Sequence, residues 1–368
     1  MEENGGTSFV NSKKDIKRKI EKGEYYTLVD IVLDKGFGNF LRKLSPKKTP
    51  VSYWISGLVL AFLTLLIGFS VSGIIGEFST LDQSTIIITI WLAAIGFLWM
   101  ICAKIGNYLI LNALSKGVIE NITSYQDLDD VQKKLHAFRN IKLQIFLSIF
   151  LGLVAILWPV WWRQTGATFP GYGPTIVLIL IWLQTGPGVY LFILYIWLAA
   201  GINRYEYSIQ TIDARSSEVI EYLGDMFNGV LLIGAVILAV FSIGLAFLGA
   251  FDSDVPLFII WVLGAWALLL LLFFNNQYIL ANIIKKHKLK KLREIQKEIY
   301  SLEAGRKIAD KETLETIKLL MDFYDRVEKM PDSTFRIGEV FRLIQAMLLP
   351  ILASVISSLK NVIEIFSK

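Results

Sequence analysis

Six long apolar runs, near 51–76, 84–103, 143–162, 174–200, 229–251 and 256–283, constrain this chain more than any motif in it. At ~1.5 Å of helix per residue each is long enough to cross a hydrocarbon core of about 30 Å. None carries Asp, Glu, Lys or Arg in its middle. A central charge costs roughly 2.5–3.5 kcal/mol on insertion scales, whereas each Leu, Ile, Val or Phe returns only a few tenths. The absence of charge is therefore a signature of membrane helices. With 54% hydrophobic and 19% charged residues over 368 positions, a water-soluble domain would lack the polar surface to cover itself.

Basic residues set the expected orientation. Eleven Lys and Arg precede the first run, six lie in 104–142, two in 201–228, and "KKHKLKKLR" follows the sixth run. The intervening loops 77–83 and 252–255 carry none, and the loop after Trp162 has only Arg163. The positive-inside rule then places both termini and the two long connections in the cytoplasm, as expected for a multi-pass protein of the plasma membrane. No signal-peptide pattern opens the chain. One cysteine, Cys102, excludes an intrachain disulfide. The net charge of +5 resides in the cytoplasmic segments and matches an anionic leaflet; no nucleic-acid-binding motif accompanies it.

The expected fold is all-α and polytopic, with six transmembrane helices arranged as three hairpins. Segment 1–50 reads as an amphipathic cytoplasmic region. Within it Leu28, Val29, Val32, Leu33, Phe37, Phe40, Leu41 and Leu44 share helical spacing, and the helix either lies on the inner leaflet or packs on the protein. Residues 51–283 form the membrane domain. Segment 284–330 reads as a cytoplasmic helical hairpin, with Leu292, Ile295, Ile299 and Leu302 facing Leu314, Ile317, Leu320, Tyr324 and Val327, and Asp310 as N-cap of its second helix. Segment 331–368 reads as a membrane-associated helix, or as a seventh span over 343–359. The carboxylates of "EYSIQTIDARSSEVIEYLGD" have the spacing of a solvated amphipathic helix.

Three features bear on function. "ATFPGYGPTI" holds the Gly171-Tyr172-Gly173 triplet of potassium filters, but only seven residues separate Trp162 from Pro170. Seven helical residues reach about 10 Å, too short for a pore helix and its return, so the expected structure is a turn. The fourth run carries Gln184, Thr185, Gly186, Pro187 and Gly188 at its middle. Proline removes a donor and flanking glycines loosen a helix, so a break is expected, of the kind that transporters use to hold substrate at mid-membrane. Asn275 and Asn276 near the inner end of the sixth run are candidates for a pore mouth. The fifth run lines Ala235, Ala239, Ser242, Ala246 and Gly249 along one face, a stripe for close helix packing.

Asn107, Asn203 and Asn276 each precede a tyrosine by one or two residues at the inner ends of the second, fourth and sixth runs, but their unequal spacing argues against a true repeat. Two histidines, one cysteine and no phosphate loop or nucleophile elbow leave no catalytic constellation, no metal set and no cofactor motif. The expectation is a channel or passive transporter for ions or small solutes. The alternative is a membrane-embedded scaffold, sensor or effector acting through its cytoplasmic helices, with a protein partner at 285–330. The bilayer is the expected partner in either case, and a homo-oligomer is compatible with both.

Overall fold

In a computed structural model the described residues are 3–44, 52–77, 83–164, 171–209, 211, 213–247, 255–305 and 311–332. They form ten helical stretches and no strand: the chain is an all-α polytopic membrane protein. The stretches are α1 (Glu3–Glu21), α2 (28–44, with Ile31–Gly38 wound as a π-helix) and α3 (Tyr53–Ile75). Next come α4 (Gln83–Asn112), α5 (Tyr125–Phe138), α6 (Ile141–Gln164) and α7 (Tyr172–Ile202). The last three are α8 (Glu218–Phe247), α9 (Val255–Gly305) and α10 (Lys311–Lys329). Among the described residues five helices are long and apolar enough to cross a membrane, or six if the bent pair α5–α6, with 50° between its halves, is counted as one span. Segment 343–359, Asp310 and Gly249 lie outside the described residues.

Helix α7 is the centre of the bundle, packing on α6, α4 and α3, while α8 joins α4 and carries α9 on its other side. The small stripe on α8 meets α9: Ala235 is fully buried and clusters with Leu231, Trp266, Leu269, Leu272 and Phe273, with Ala239 beside them. Ser242 is buried and donates to its own helix at the Leu238 carbonyl. Ala246 continues α8 one turn further.

The largest core gathers at the basic end of the bundle. Helix α4 does not stop with its apolar run; it continues through a π-wound turn, Ala113–Val118, to Asn121. This extension packs with α5, with the ends of α7 and α8 and with the middle of α9 around Leu114, Val118, Val131, Leu135, Leu198, Ile202, Leu223, Phe227 and Ile283. Helix α1 docks there through Ile16, Lys13 donates to the Glu120 and Ile122 carbonyls, and Lys17 pairs with Glu120. One face of 28–44 packs on the protein. Val29 and Leu33 are fully buried against Met100 and Ile101 of α4, while Phe40 stays 58% exposed.

The stretch 206–217 departs from the amphipathic helix read in its carboxylate spacing. Among its described residues, Tyr207 forms one antiparallel bridge with Ile122, Ala214–Ser216 form a single 3-10 turn, and the α-helix begins only at Glu218. Asp213 caps that turn: its carboxylate accepts from the Arg215 amide and clamps its guanidinium. Beyond the membrane α9 runs unbroken to Gly305, and α10 folds back on it through Leu292, Ile295, Ile299, Leu320, Phe323, Tyr324 and Val327.

Candidate functional site

At the far end from the basic core, Gly171 holds φ +96°, and α7 begins at Tyr172. The Tyr172 amide donates to the Glu77 carboxylate at 2.9 Å. Tyr172 and Gly173 are therefore the first turn of a helix, with a carboxylate at its N-terminus where the dipole favours it. The triplet forms a turn into a helix and no filter.

The expected break in the fourth span is corrected by the structure: α7 is helical from Tyr172 to Ile202 with Pro187 inside it. Polar contacts from α7 itself and from neighbouring helices surround the proline. The Thr185 hydroxyl donates to the Ile181 carbonyl at 2.8 Å, and the Trp99 indole of α4 donates to the Thr185 carbonyl at 3.1 Å. Gln184 donates to Thr64 of α3 at 3.0 Å. Gly186 is buried against α6, where a Cβ would stand 2.5 Å from the Ser148 amide nitrogen, and a Cβ at Gly188 would run into the Trp99 ring. Around Pro187, α7 is thus held closely against α3, α4 and α6. All five residues are thus brought together as a helix-packing junction.

Asn275 and Asn276 separate. Asn275 is exposed, whereas Asn276 is buried and donates to the Tyr195 hydroxyl of α7 at 2.6 Å. The Asn276 and Gln277 side-chain carbonyls are buried without a partner among the described residues. Asn107 and Asn203 have unrelated partners, Asp30 and Asn282 respectively, so the three asparagines share no common role.

Sequence reasoning missed two ionic networks at the basic end. In the first, the Asp30 carboxylate caps α2 with Thr27 and accepts from Asn107 and Lys104, and Lys104 also reaches Asp34. Gln144 of α6 closes the junction by accepting from the Leu28 amide. In the second, Lys134 of α5 is 4% exposed and donates to Asp130 (2.8 Å) and to the Tyr205 hydroxyl (3.0 Å). Tyr205 in turn donates to Asp130 at 2.6 Å. A Cβ at Gly201 would overlap the Lys134 ammonium, which sits against the C-terminal turn of α7 where a cation is favoured. Burial alone would raise the Asp130 carboxyl, but the bonds from Lys134 and Tyr205 outweigh it and hold it below the usual range. Burial, then the bond to Asp130, drives the Tyr205 phenol far upward.

The open feature of the fold lies beside this network. A cleft of about 360 Å³ is bounded by Tyr207, Ser208, Ile209 and Thr211, the α9 extension and Phe323 of α10. His287, Lys290, Lys291, Glu294 and Ser208 supply its polar groups. Burial lowers the His287 imidazole; the Thr211 carbonyl opposes this and Lys291 reinforces it. Lys291 pairs with Glu294 at 3.2 Å. No three His, Cys, Asp or Glu side chains converge as a metal set among the described residues. Compared with known protein families, curated proteins and solved structures, the chain matches none.

Proposed function

We propose that this membrane protein works as a scaffold or sensor through the helices at its basic, cytoplasmic end, and that the bundle around α7 is its anchor. One observation carries the reading. Every candidate that sequence offered for a mid-membrane site, Gln184 to Gly188, is engaged in packing α7 against α3, α4 and α6. A transport site would need such groups free to meet a solute and an irregular backbone facing water. The polar cleft and the long α9–α10 hairpin lie instead on the basic side.

The test is ion and small-dye flux from vesicles containing the purified chain, alongside the pair Gln184→Leu and Thr185→Val. The expected result is no flux above protein-free vesicles and no effect of the pair. A flux that the pair abolishes would overturn the proposal.

A second reading has one observation in its favour. Asn275 is exposed on an apolar helix, next to the partnerless carbonyls of Asn276 and Gln277. An amide facing acyl chains is costly, whereas one facing water or a second subunit is not. A homo-oligomer with α9 lining an axial pore would satisfy it, and Asn275→Leu would then abolish flux in the same assay.

A further inference from the structure

The run 285–293 contains five lysines, one arginine and one histidine and no carboxylate. The fold disposes of part of this charge. Lys288 pairs with Asp332 (2.8 Å), Lys286 donates to the Asn203 carbonyl (2.7 Å), and Lys291 shares Glu294. Lys285, Lys290 and Arg293 have no ion-pair partner among the described residues, and of these Lys290 lines the cleft. The Ser208 hydroxyl on the opposite wall is exposed and makes no side-chain hydrogen bond among the described residues. The cleft volume falls within the roughly 300–1,000 Å³ of ligand pockets.

Position narrows the chemistry. Lys290 stands seven residues beyond Ile283, the last residue of the sixth apolar run. At ~1.5 Å per residue this is about 10 Å, within lysine reach of the headgroup layer, whose phosphates are the concentrated anions at that depth. A phosphate offers three terminal acceptor oxygens to ammonium and hydroxyl donors converging from two walls. Tyr207, Ile209 and Phe323 add apolar surface for the remainder of an organic phosphate.

We propose that this cleft binds a phosphomonoester or pyrophosphate group, with Lys290 and Ser208 as its donors. The source is either a lipid headgroup or a soluble phosphate. Occupancy would bridge the Ser208 wall, α9 and α10, tying the hairpin to the body of the bundle. The binding itself does not depend on the scaffold reading: flux through the bundle would overturn that reading and leave this one standing.

The test uses the full chain in phosphatidylcholine nanodiscs. In one arm inorganic pyrophosphate is titrated calorimetrically. In the other the discs contain phosphatidic acid, and retained lipid is counted by native mass spectrometry. Lys290→Gln is expected to weaken binding at least about tenfold, while Lys297→Gln, an equal charge loss on an exposed position of α9 outside the cleft, changes it less than about twofold. Ser208→Ala should weaken it in the same arm as Lys290→Gln. Pyrophosphate binding alone assigns the source to a soluble phosphate, phosphatidic acid alone to a headgroup, and both to the shared group. No saturable binding in either arm, or equal weakening by Lys290→Gln and Lys297→Gln, would overturn the proposal.

Discussion

Replacing Gly186 by alanine tests the packing junction at the centre of the bundle. The added Cβ would stand 2.5 Å from the Ser148 amide nitrogen, about 0.9 Å short of the 3.4 Å at which ordinary contact begins. The obstacle is the α6 backbone, which cannot rotate away as a side chain can, so α6 and α7 must part by most of an ångström. A gap of ~0.5–1 Å already forfeits a quarter to a half of each dispersion contact along a seam. Overpacking of this kind costs about 1–3 kcal/mol, which outweighs the roughly 0.5–1 kcal/mol that Gly→Ala returns inside a helix. Gly264→Ala on α9 is the control: nothing lies within 4 Å of its Cβ position, so only the helix term applies. Unfolding in bicelles or in mild detergent, read by tryptophan fluorescence, should show Gly186→Ala losing stability and Gly264→Ala equal to or above the parent. Equal stability of the two variants would refute the close α6–α7 approach.

Two further outcomes follow from the ionic and polar links. Because the folded-state pKa of Asp130 is depressed, its contribution is present above the unfolded value near 3.9 and disappears as pH falls through the lower folded value. Stability measured from pH 6 downward should therefore drop more steeply in the parent than in Asp130→Asn, as long as both are read below ~pH 5. Gln184→Leu removes one interhelical hydrogen bond, and such bonds are worth about 0.6 kcal/mol on average with a maximum near 1.7. Its unfolding midpoint should shift only slightly, and a loss far beyond that range would mean that Gln184 does more than join α7 to α3.

The apolar rods, their approximate ends and the gathering of basic segments were legible in the sequence, because partition into a bilayer depends on the residues of one segment at a time. Part of the α9–α10 seam was legible for a similar reason, since Leu292, Ile295, Ile299, Leu320, Tyr324 and Val327 follow local 3–4 spacing, whereas Leu314, read into the same seam, is exposed. What spacing did not reveal depends on who stands opposite. Pro187 with two glycines reads as a break in isolation and becomes a junction only because Ser148, Trp99 and Thr64 arrive from three other helices. Asp30 and Lys104 are 74 positions apart, and Lys134 and Tyr205 71 apart; no local pattern marks either pair. Charge likewise declared that one end of the protein is basic, but the fold alone selects Lys290 as a cation left facing a cleft while Lys288 and Lys291 find carboxylates. Solvation of each segment is a property of composition and so is decided along the chain, whereas satisfaction of its polar groups is a property of neighbours and is decided only when the helices meet.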